Sequence, residues 1–393
     1  MIYLSTMLAR RSHSGRKLRD LSFDPLDGED HPCVQHVILD DGSAFAWEDF
    51  KQLTEPPRVQ VPDHLVLLAR DVLDGMILDL HNRRATRVND IVLQEDGSKL
   101  RALSADVGLL ALLRRLSRGW LSLPDFPSSQ LSWKYVEFLR GEPEAALTAQ
   151  RYRGRLTRLP AGDIAALAQS LPYLHAAELL LLLEPGTRAS VFQILLPMRQ
   201  RQVFEELPEA TRSELLSLMS PDLSVVLLSQ LGAKQAESLL PQVDSGPRER
   251  ILKLLQYASQ VAGGRMTNDL LCLPANTTIA EARARFASES PHFTPLVYVV
   301  GEGNQLVGTL STPELFTAEN ADGTVQSLAN PYINALPADR PAAAAAYEVL
   351  RSHLPALPVV GRDGELLGAL TLDSAMDTVL PTSLGSQIPR VFT

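Results

Sequence analysis

Cysteine is nearly absent from this 393-residue chain, in which Cys33 and Cys272 stand alone and far apart. Two distant thiols exclude a disulfide framework and any thiolate-rich zinc module, and they fit a reducing compartment. Long apolar runs are missing too. Spanning a bilayer takes roughly 20 consecutive apolar residues, and the densest stretches, Leu179–Leu183, Leu296–Val300 and Ala342–Ala346, are interrupted far earlier. Arg10, Arg11, Arg16 and Lys17 have no apolar core behind them, so no secretory signal is expected. Positive charge is not in excess: 37 Lys and Arg face 46 Asp and Glu, a net charge of −9, which argues against a nucleic-acid partner. Catalytic signatures are also lacking. The chain holds no Gly-x-x-x-x-Gly-Lys-[Ser/Thr], no Gly-x-Ser-x-Gly, no His-Glu-x-x-His and no Cys-x-x-Cys. These absences predict a cytoplasmic, non-catalytic protein without membrane insertion.

What is present predicts folded domains. Hydrophobic residues make up 45% and charged residues 21%, which excludes a largely disordered chain, and the length predicts two to four domains. Three regimes follow one another. In residues 1–120, Val34–Leu39, the turn Asp40-Asp41-Gly42 and Ala44–Trp47 read as a hairpin; Ile91–Gln94, Glu95-Asp96-Gly97-Ser98 and Leu100–Leu103 read as a second. Leu4–Leu8 leads into the first and Leu68–Leu73 into the second, so two related β units are expected, about 1–56 and 65–120, with a Pro-rich joint at Glu55–Pro62. Val107, Leu110, Leu113 and Leu116 predict a short amphipathic helix that closes the second unit. Asp71–Asp74, Arg87–Asp90 and the closing Val107-Gly-Leu-Leu110 with Arg114-Arg115-Leu116 resemble the PRC-barrel family. That resemblance implies a small β-barrel that docks a protein partner. Residues 121–149 read as a linker with one short helix around Trp133–Leu139.

Residues 150–257 are a helical repeat. A break recurs every eleven to thirteen residues, at Pro160, Pro172, Pro185, Pro197, Pro208, Pro221, Gly232 and Pro241. Pro suits a first helical turn and disfavours helix before it. Helices this short are marginal alone and must stack, which predicts an all-α solenoid. Residues 262–381 hold two similar α/β units, about 262–317 and 325–381, followed by a tail, 382–393. Val297–Val300, a glycine turn, Leu306–Leu310 and Ser311-Thr-Pro-Glu314 are matched in order by Leu357–Val360, a second glycine turn, Leu366–Leu370 and Thr371-Leu-Asp-Ser374. Ala-rich helices precede each, at Ile279–Phe286 and Ala342–Leu350. This order resembles a tandem CBS pair, which implies a homodimer formed through that pair.

The junction Tyr257-Ala-Ser-Gln-Val-Ala-Gly-Gly-Arg-Met-Thr267, set between a helical repeat and a CBS pair, is similar to the cytosolic part of MgtE-type magnesium transporters. The opening His175-Ala-Ala-Glu178 carries the same likeness. The chain is thus expected to be multidomain: N-terminal small β-barrels, a middle helical solenoid and a C-terminal tandem CBS pair, without the transmembrane pore of the family. The resemblance implies a regulatory or scaffold protein that senses an adenine nucleotide or Mg²⁺, or an accessory subunit that pairs with a membrane transporter. The sequence departs from the family where its Mg²⁺ carboxylates are expected: Ala258, Ser259, Gln260 and Val261 are uncharged, and Gly301 and Gly361 follow the paired valines. Glu178 remains as the metal candidate; its plain reading is a solvated surface carboxylate. The nucleotide candidates are Ser311 with Glu314 and Thr371 with Asp373; their plain reading is helix N-capping. His31, Cys33 and His36 read as loop residues rather than a zinc site, Gly263-Gly264 as a hinge, and Arg114-Arg115 as a helix end favoured by its dipole.

Overall fold

The computed structural model describes residues 2–9, 16–24, 30–53, 55–62, 65–117, 129–139, 143, 156–289, 293–332 and 334–379. The expected tail, and the expected linker apart from 129–139 and residue 143, lie outside them. Two compact units are present, Met1–Glu184 with Gln202–Pro208, and Pro185–Arg201 with Glu209–Thr393. No helix among the described residues is long and apolar enough to cross a membrane.

The first unit opens with β1 (Ile2–Tyr3), α1 (Leu4–Ala9), β2 (Leu18–Phe23), β3 (Val34–Leu39), β4 (Ala44–Ala46) and α2 (Trp47–Gln52). Then come β5 (Val66–Leu67), a helical turn at Leu68–Val72, β6 (Met76–Asp79), β7 (Arg84–Arg87), β8 (Asp90–Asp96), β9 (Lys99–Asp106), α3 (Leu109–Leu116), β10 (Gln130–Ser132) and β11 (Val136–Leu139). The strands form three antiparallel sheets, ordered β1-β8-β9-β10, β4-β3-β2-β5 and β11-β6-β7. None closes on itself among the described residues, so the region is strand-rich, and the expected barrel is not what the hydrogen bonding displays.

The two four-stranded sheets are copies of one another. β2 meets β3 as Leu21↔Val37, Ser22↔His36 and Phe23↔Val34, with a bulge between the last two pairs. β8 meets β9 as Ile91↔Ala105, Val92↔Ser104 and Leu93↔Ala102, with a bulge at the same step. Outside these, β4 adds to β3 (Phe45↔Val37) and β10 adds to β9 (Leu131↔Ala105). A tryptophan, Trp47 or Trp133, follows each. In register, β8–β9 corresponds to β2–β3, whereas the sequence reading sets it beside β3–β4.

The lead-ins have changed places. β1, from the first copy, pairs with β8 (Tyr3↔Val92), and β5, from the second, pairs with β2 (Leu67↔Ser22). A buried aspartate fixes each exchange. Asp90 accepts from the Ser5 amide at 3.1 Å, the Ser5 hydroxyl and its neighbour Ile91 N at 2.8 Å. Asp20, at the matching position, accepts from Ala69 N at 2.7 Å, Arg70 N at 3.0 Å and its neighbour Leu21 N at 2.8 Å. Burial pushes both carboxyls above the usual carboxylate range, against the pull of those donors. One core joins both copies, including Leu4, Phe23, Trp47, Leu68, Ile91 and Trp133. Each fully buried side chain of this size contributes about 1.5–3 kcal/mol.

Two expectations change here. Residues 130–139, read as linker with a helix, are two strands around one turn, Trp133–Tyr135; their partners β9 and β6 are distant in sequence, so no local pattern announces them. Helix α3 turns one of its two arginines inward. Arg114 is buried, lies 3.6 Å over the Tyr3 ring and faces Asp106 at 3.8 Å, while Leu109, Leu113 and Leu116 are exposed. Arg115 pairs with Asp74.

The helical middle runs α4 (Ala161–Ser170), α5 (Tyr173–Leu181), α6 (Pro185–Ile194), α7 (Pro197–Glu206), α8 (Glu209–Leu218), α9 (Pro221–Leu231), α10 (Ala233–Leu239) and α11 (Ser245–Leu254). Helices α4 to α9 each begin at or just after one of the predicted prolines. In the first unit, α4 packs on β7 and α5 on β11, with Arg83 paired to Asp163 at 3.0 Å. In the second, α6 packs on α8 and α9 on α11.

Two α/β repeats complete the second unit. The first is β12 (Leu270–Pro274), α12 (Ile279–Glu289), β13 (Phe293–Val300), β14 (Leu306–Ser311), α13 (Thr312–Thr317) and α14 (Val325–Leu328). The second is β15 (Leu336–Pro337), α15 (Ala342–Ser352), β16 (Ala356–Val360), β17 (Leu366–Thr371) and α16 (Leu372–Val379). Each sheet has one parallel and one antiparallel pairing, with bulges at Val299/Val300 and Val359/Val360. Each repeat keeps a core, and a third cluster around Leu296, Tyr298, Ala356 and Ala369 joins them.

Candidate functional site

The segment that leads into each α/β repeat is tied to the other repeat. Thr267 exchanges two backbone hydrogen bonds of 2.9 Å with Ala369 of β17, and Asn330 exchanges bonds of 2.7 and 3.1 Å with Thr309 of β14. Glycine permits both approaches: a Cβ on Gly368 would sit 2.5 Å from the Thr267 carbonyl oxygen, and one on Gly308 2.7 Å from that of Asn330. Between α11 and the repeats, Ala262 N and Gly263 N donate to the carbonyls of Arg340 and Ala338. Gly263 is covered by the Tyr257 ring, which a Cβ would meet at 2.5 Å. The predicted hinge is a buried, hydrogen-bonded junction.

A cavity of about 470 Å³ opens beside this junction. Helix α11 and the residues after it supply Arg250, Lys253 and Tyr257. The α/β repeats supply Asn268, Cys272 and Glu365. The walls are stitched together, because Arg250 Nη1 pairs with Asp269 at 2.6 Å and Asn268 Nδ2 donates to the Arg250 carbonyl at 2.9 Å. Two polar atoms on these walls, Arg250 Nε and Asn268 Oδ1, are shielded from solvent and have no partner. Buried unpaired donors and acceptors cost free energy, so this pair suits a polar ligand. Burial pushes the Cys272 thiol up to about 11, so the group stays protonated at neutral pH and lines the cavity as a small apolar side chain. Two cations against the single carboxylate of Glu365 favour an anion.

The predicted site residues lie elsewhere. Ser311 and Glu314 form a capping box at the start of α13: Ser311 Oγ accepts from Glu314 N at 3.3 Å, and Glu314 Oε2 accepts from Ser311 N at 3.0 Å. The Ser311 hydroxyl also donates to that carboxylate and holds it below the usual range. At the start of α16, Thr371 Oγ1 accepts from Ser374 N at 3.1 Å, and the Ser374 hydroxyl reaches Asp222 of α9 at 3.4 Å. Asp373 lies in the first turn of α16. None of the four lines the cavity. Glu178 is not a solvated surface residue; it is only 5% exposed, within α5. Among the described residues no group of three or more His, Cys, Asp or Glu side chains is gathered as a metal site. Mg²⁺ prefers several carboxylate and water oxygens, so these residues do not fit that ion held by protein ligands alone. Sequence reading missed Arg250, Lys253 and Asn268. The available signal was a pair of cations one turn apart, just before a junction without acids.

Comparison with known proteins follows the same division. Residues 159–260 match the MgtE intracellular N domain, and residues 258–320 and 325–380 match the CBS domain. The chain is similar to the magnesium transporter MgtE of Bacillus subtilis, at 25% identity over 229 residues, 49% of this chain and 51% of that protein. It is also similar to the magnesium transporter MgtE of Thermus thermophilus, at 26% identity over 250 residues, 56% of this chain and 53% of that protein. It thus spans about half the length of the curated relatives it matches. Among solved structures, the cytosolic domain of the Mg²⁺ channel MgtE in complex with ATP aligns with a TM-score of 0.54 at 25% identity, covering 61% of this chain and 99% of that one. The soluble part of a magnesium transporter shares the fold, with a TM-score of 0.54 at 23% identity over 61% of this chain and 98% of that one.

Proposed function

We propose that this chain, which carries an MgtE N domain followed by a tandem CBS pair and is homologous to MgtE, is a cytoplasmic, non-catalytic regulator of magnesium transport that senses an adenine nucleotide. The observation that carries the reading is the cavity of about 470 Å³ whose walls come from both the N domain and the CBS pair. A ligand there touches both modules, so its binding energy bears on how they are held. The complex of a relative's cytosolic domain with ATP supports a nucleotide as that ligand. Mg²⁺ would arrive on the phosphates of the nucleotide rather than on carboxylates of this chain. Ser311 with Glu314, and Thr371 with Asp373, are the second place to look for ribose contacts, and there a ligand would compete with cap hydrogen bonds. The strand-rich N-terminal region is the partner-docking module in this reading, PRC-barrel-like in sequence, and the CBS pair is the dimer contact. The partner is a membrane transporter for magnesium.

Isothermal titration of the full chain with ATP, AMP and Mg²⁺ tests the sensing half. Heat and a raised melting temperature with at least one nucleotide are expected. No heat and no thermal shift with any of them would remove the sensing role and leave a scaffold. Co-purification of a magnesium transporter on the tagged chain tests the partner.

A further inference from the structure

We infer that helix α11 of the N domain holds the anionic end of the ligand through Arg250 and Lys253, so that a filled cavity latches the helical domain to the CBS pair. This deepens the nucleotide reading and rests on it. Arg250 and Lys253 stand three residues apart, hence on one face of α11, and both line the cavity. Lys253 pairs with Glu249 at 2.9 Å, but both side chains are well exposed, at 65% and 70%, so this pair holds the ammonium weakly and leaves it available. Arg250 spends one nitrogen on Asp269 and keeps its buried Nε without a partner. The orphan acceptor Asn268 Oδ1 completes the wall and asks for an N–H or O–H donor. A phosphate beside a hydroxyl- or amino-bearing group satisfies all three: oxygens for the two cations, a donor for the amide. On the opposite wall Cys272 is a protonated thiol and Glu365 a carboxylate, while the two cations of the lining both stand on α11, so the anionic end lies toward α11. The junction itself is already drawn tight by Asn268 on the Arg250 carbonyl and by Tyr257 over Gly263, so charge neutralisation at Arg250 and Lys253 adds to a contact that is in place.

The test uses the full chain and three probes that differ in phosphate: adenosine, AMP and ATP. Affinity is expected to rise with phosphate count. Lys253→Gln is expected to weaken ATP by about tenfold, the scale of one charge-assisted contact, while leaving adenosine within about twofold. Hydrogen exchange supplies a second readout: saturating ATP should slow exchange across residues 245–268 in the native chain, and less so in Lys253→Gln. Arg250→Gln is the companion variant; should it fail to fold because the Arg250–Asp269 ion pair is lost, the exposed Lys253 still decides. If the native chain binds ATP and Lys253→Gln binds it equally well with unchanged exchange protection, the latch is overturned and the nucleotide reading stands. If no probe binds the native chain, both fall.

Discussion

Two regions of this chain are doubled, and they are doubled differently. In the strand-rich region the copies trade their lead-ins, β1–α1 and β5 with its helical turn, and share one core. In the CBS pair the copies also trade lead segments, at Thr267 and Asn330, but each repeat keeps a core and only a third cluster joins them. The joint is made by buried carboxylates in the first case and by backbone approaching glycine in the second. Fusing two copies into one core uses up the shared surface. Docking two cores leaves a seam, and the cavity opens where the seam meets α11. In this chain the cavity accompanies the doubling whose copies keep separate cores.

This contrast can be broken at its joints. Asp90→Ala is expected to have the largest effect. It strands Ser5 N, the Ser5 hydroxyl and Ile91 N in a dry core, so the strand-rich region should lose roughly 3 kcal/mol or more, seen as an earlier denaturant transition. Asp20→Ala should match it, because Asp20 holds the equivalent exchange. Unequal losses would mean that the copies are alike in register but not in energetics. Gly368→Ala comes next. Its Cβ would press on the Thr267 carbonyl, so the CBS transition should move by about 1–3 kcal/mol while the strand-rich transition stays in place.

The smallest effect sharpens the role of charge. Burial raises the folded-state carboxyl of Asp90 above its unfolded value, so ionisation opposes folding. Its contribution is fully present below the unfolded carboxylate range, near pH 4, and is lost as pH rises through the raised folded value. Asp90→Asn keeps the shape and removes the titration. Native and Asp90→Asn chains should therefore differ in pH dependence, with the native chain gaining on the variant as pH is lowered from 7 toward 4. Parallel stability curves would remove ionisation from the account and leave hydrogen bonding alone.

Local chemistry was legible in the sequence and remote pairing was not. The turn after Leu39, the turn at Gly97-Ser98 within the expected Glu95–Ser98, the proline-started helices and the paired strands of the CBS repeats are written in nearby residues. The shifted alignment of the strand-rich copies was hidden because the second copy closes β8–β9 with the tight Gly97-Ser98 turn, whereas β2 and β3 are joined by ten residues, 24–33. A hairpin search finds two real pairings, β3–β4 and β8–β9, but matches them to each other although they occupy different places in the two copies. Strands β10 and β11 carry too few residues to announce themselves; their partners do so instead. Helix α3 illustrates a different limit: its leucine stripe was found, but the side that is buried is set by Tyr3, over a hundred residues earlier, stacking on Arg114. The cavity was out of reach for the same reason, since no single stretch of sequence holds more than a part of its wall.

The exchanged lead-ins bear on how the chain is made. Residues 2–9 leave the ribosome long before the strand that receives them, β8, which begins at Asp90, the residue that also accepts from the Ser5 amide of α1. During synthesis the opening segment must wait, unpaired, for some eighty more residues before its place exists. Until β8 is made, the apolar side chains of that segment have no core to enter, so a slow step in that interval prolongs their exposure.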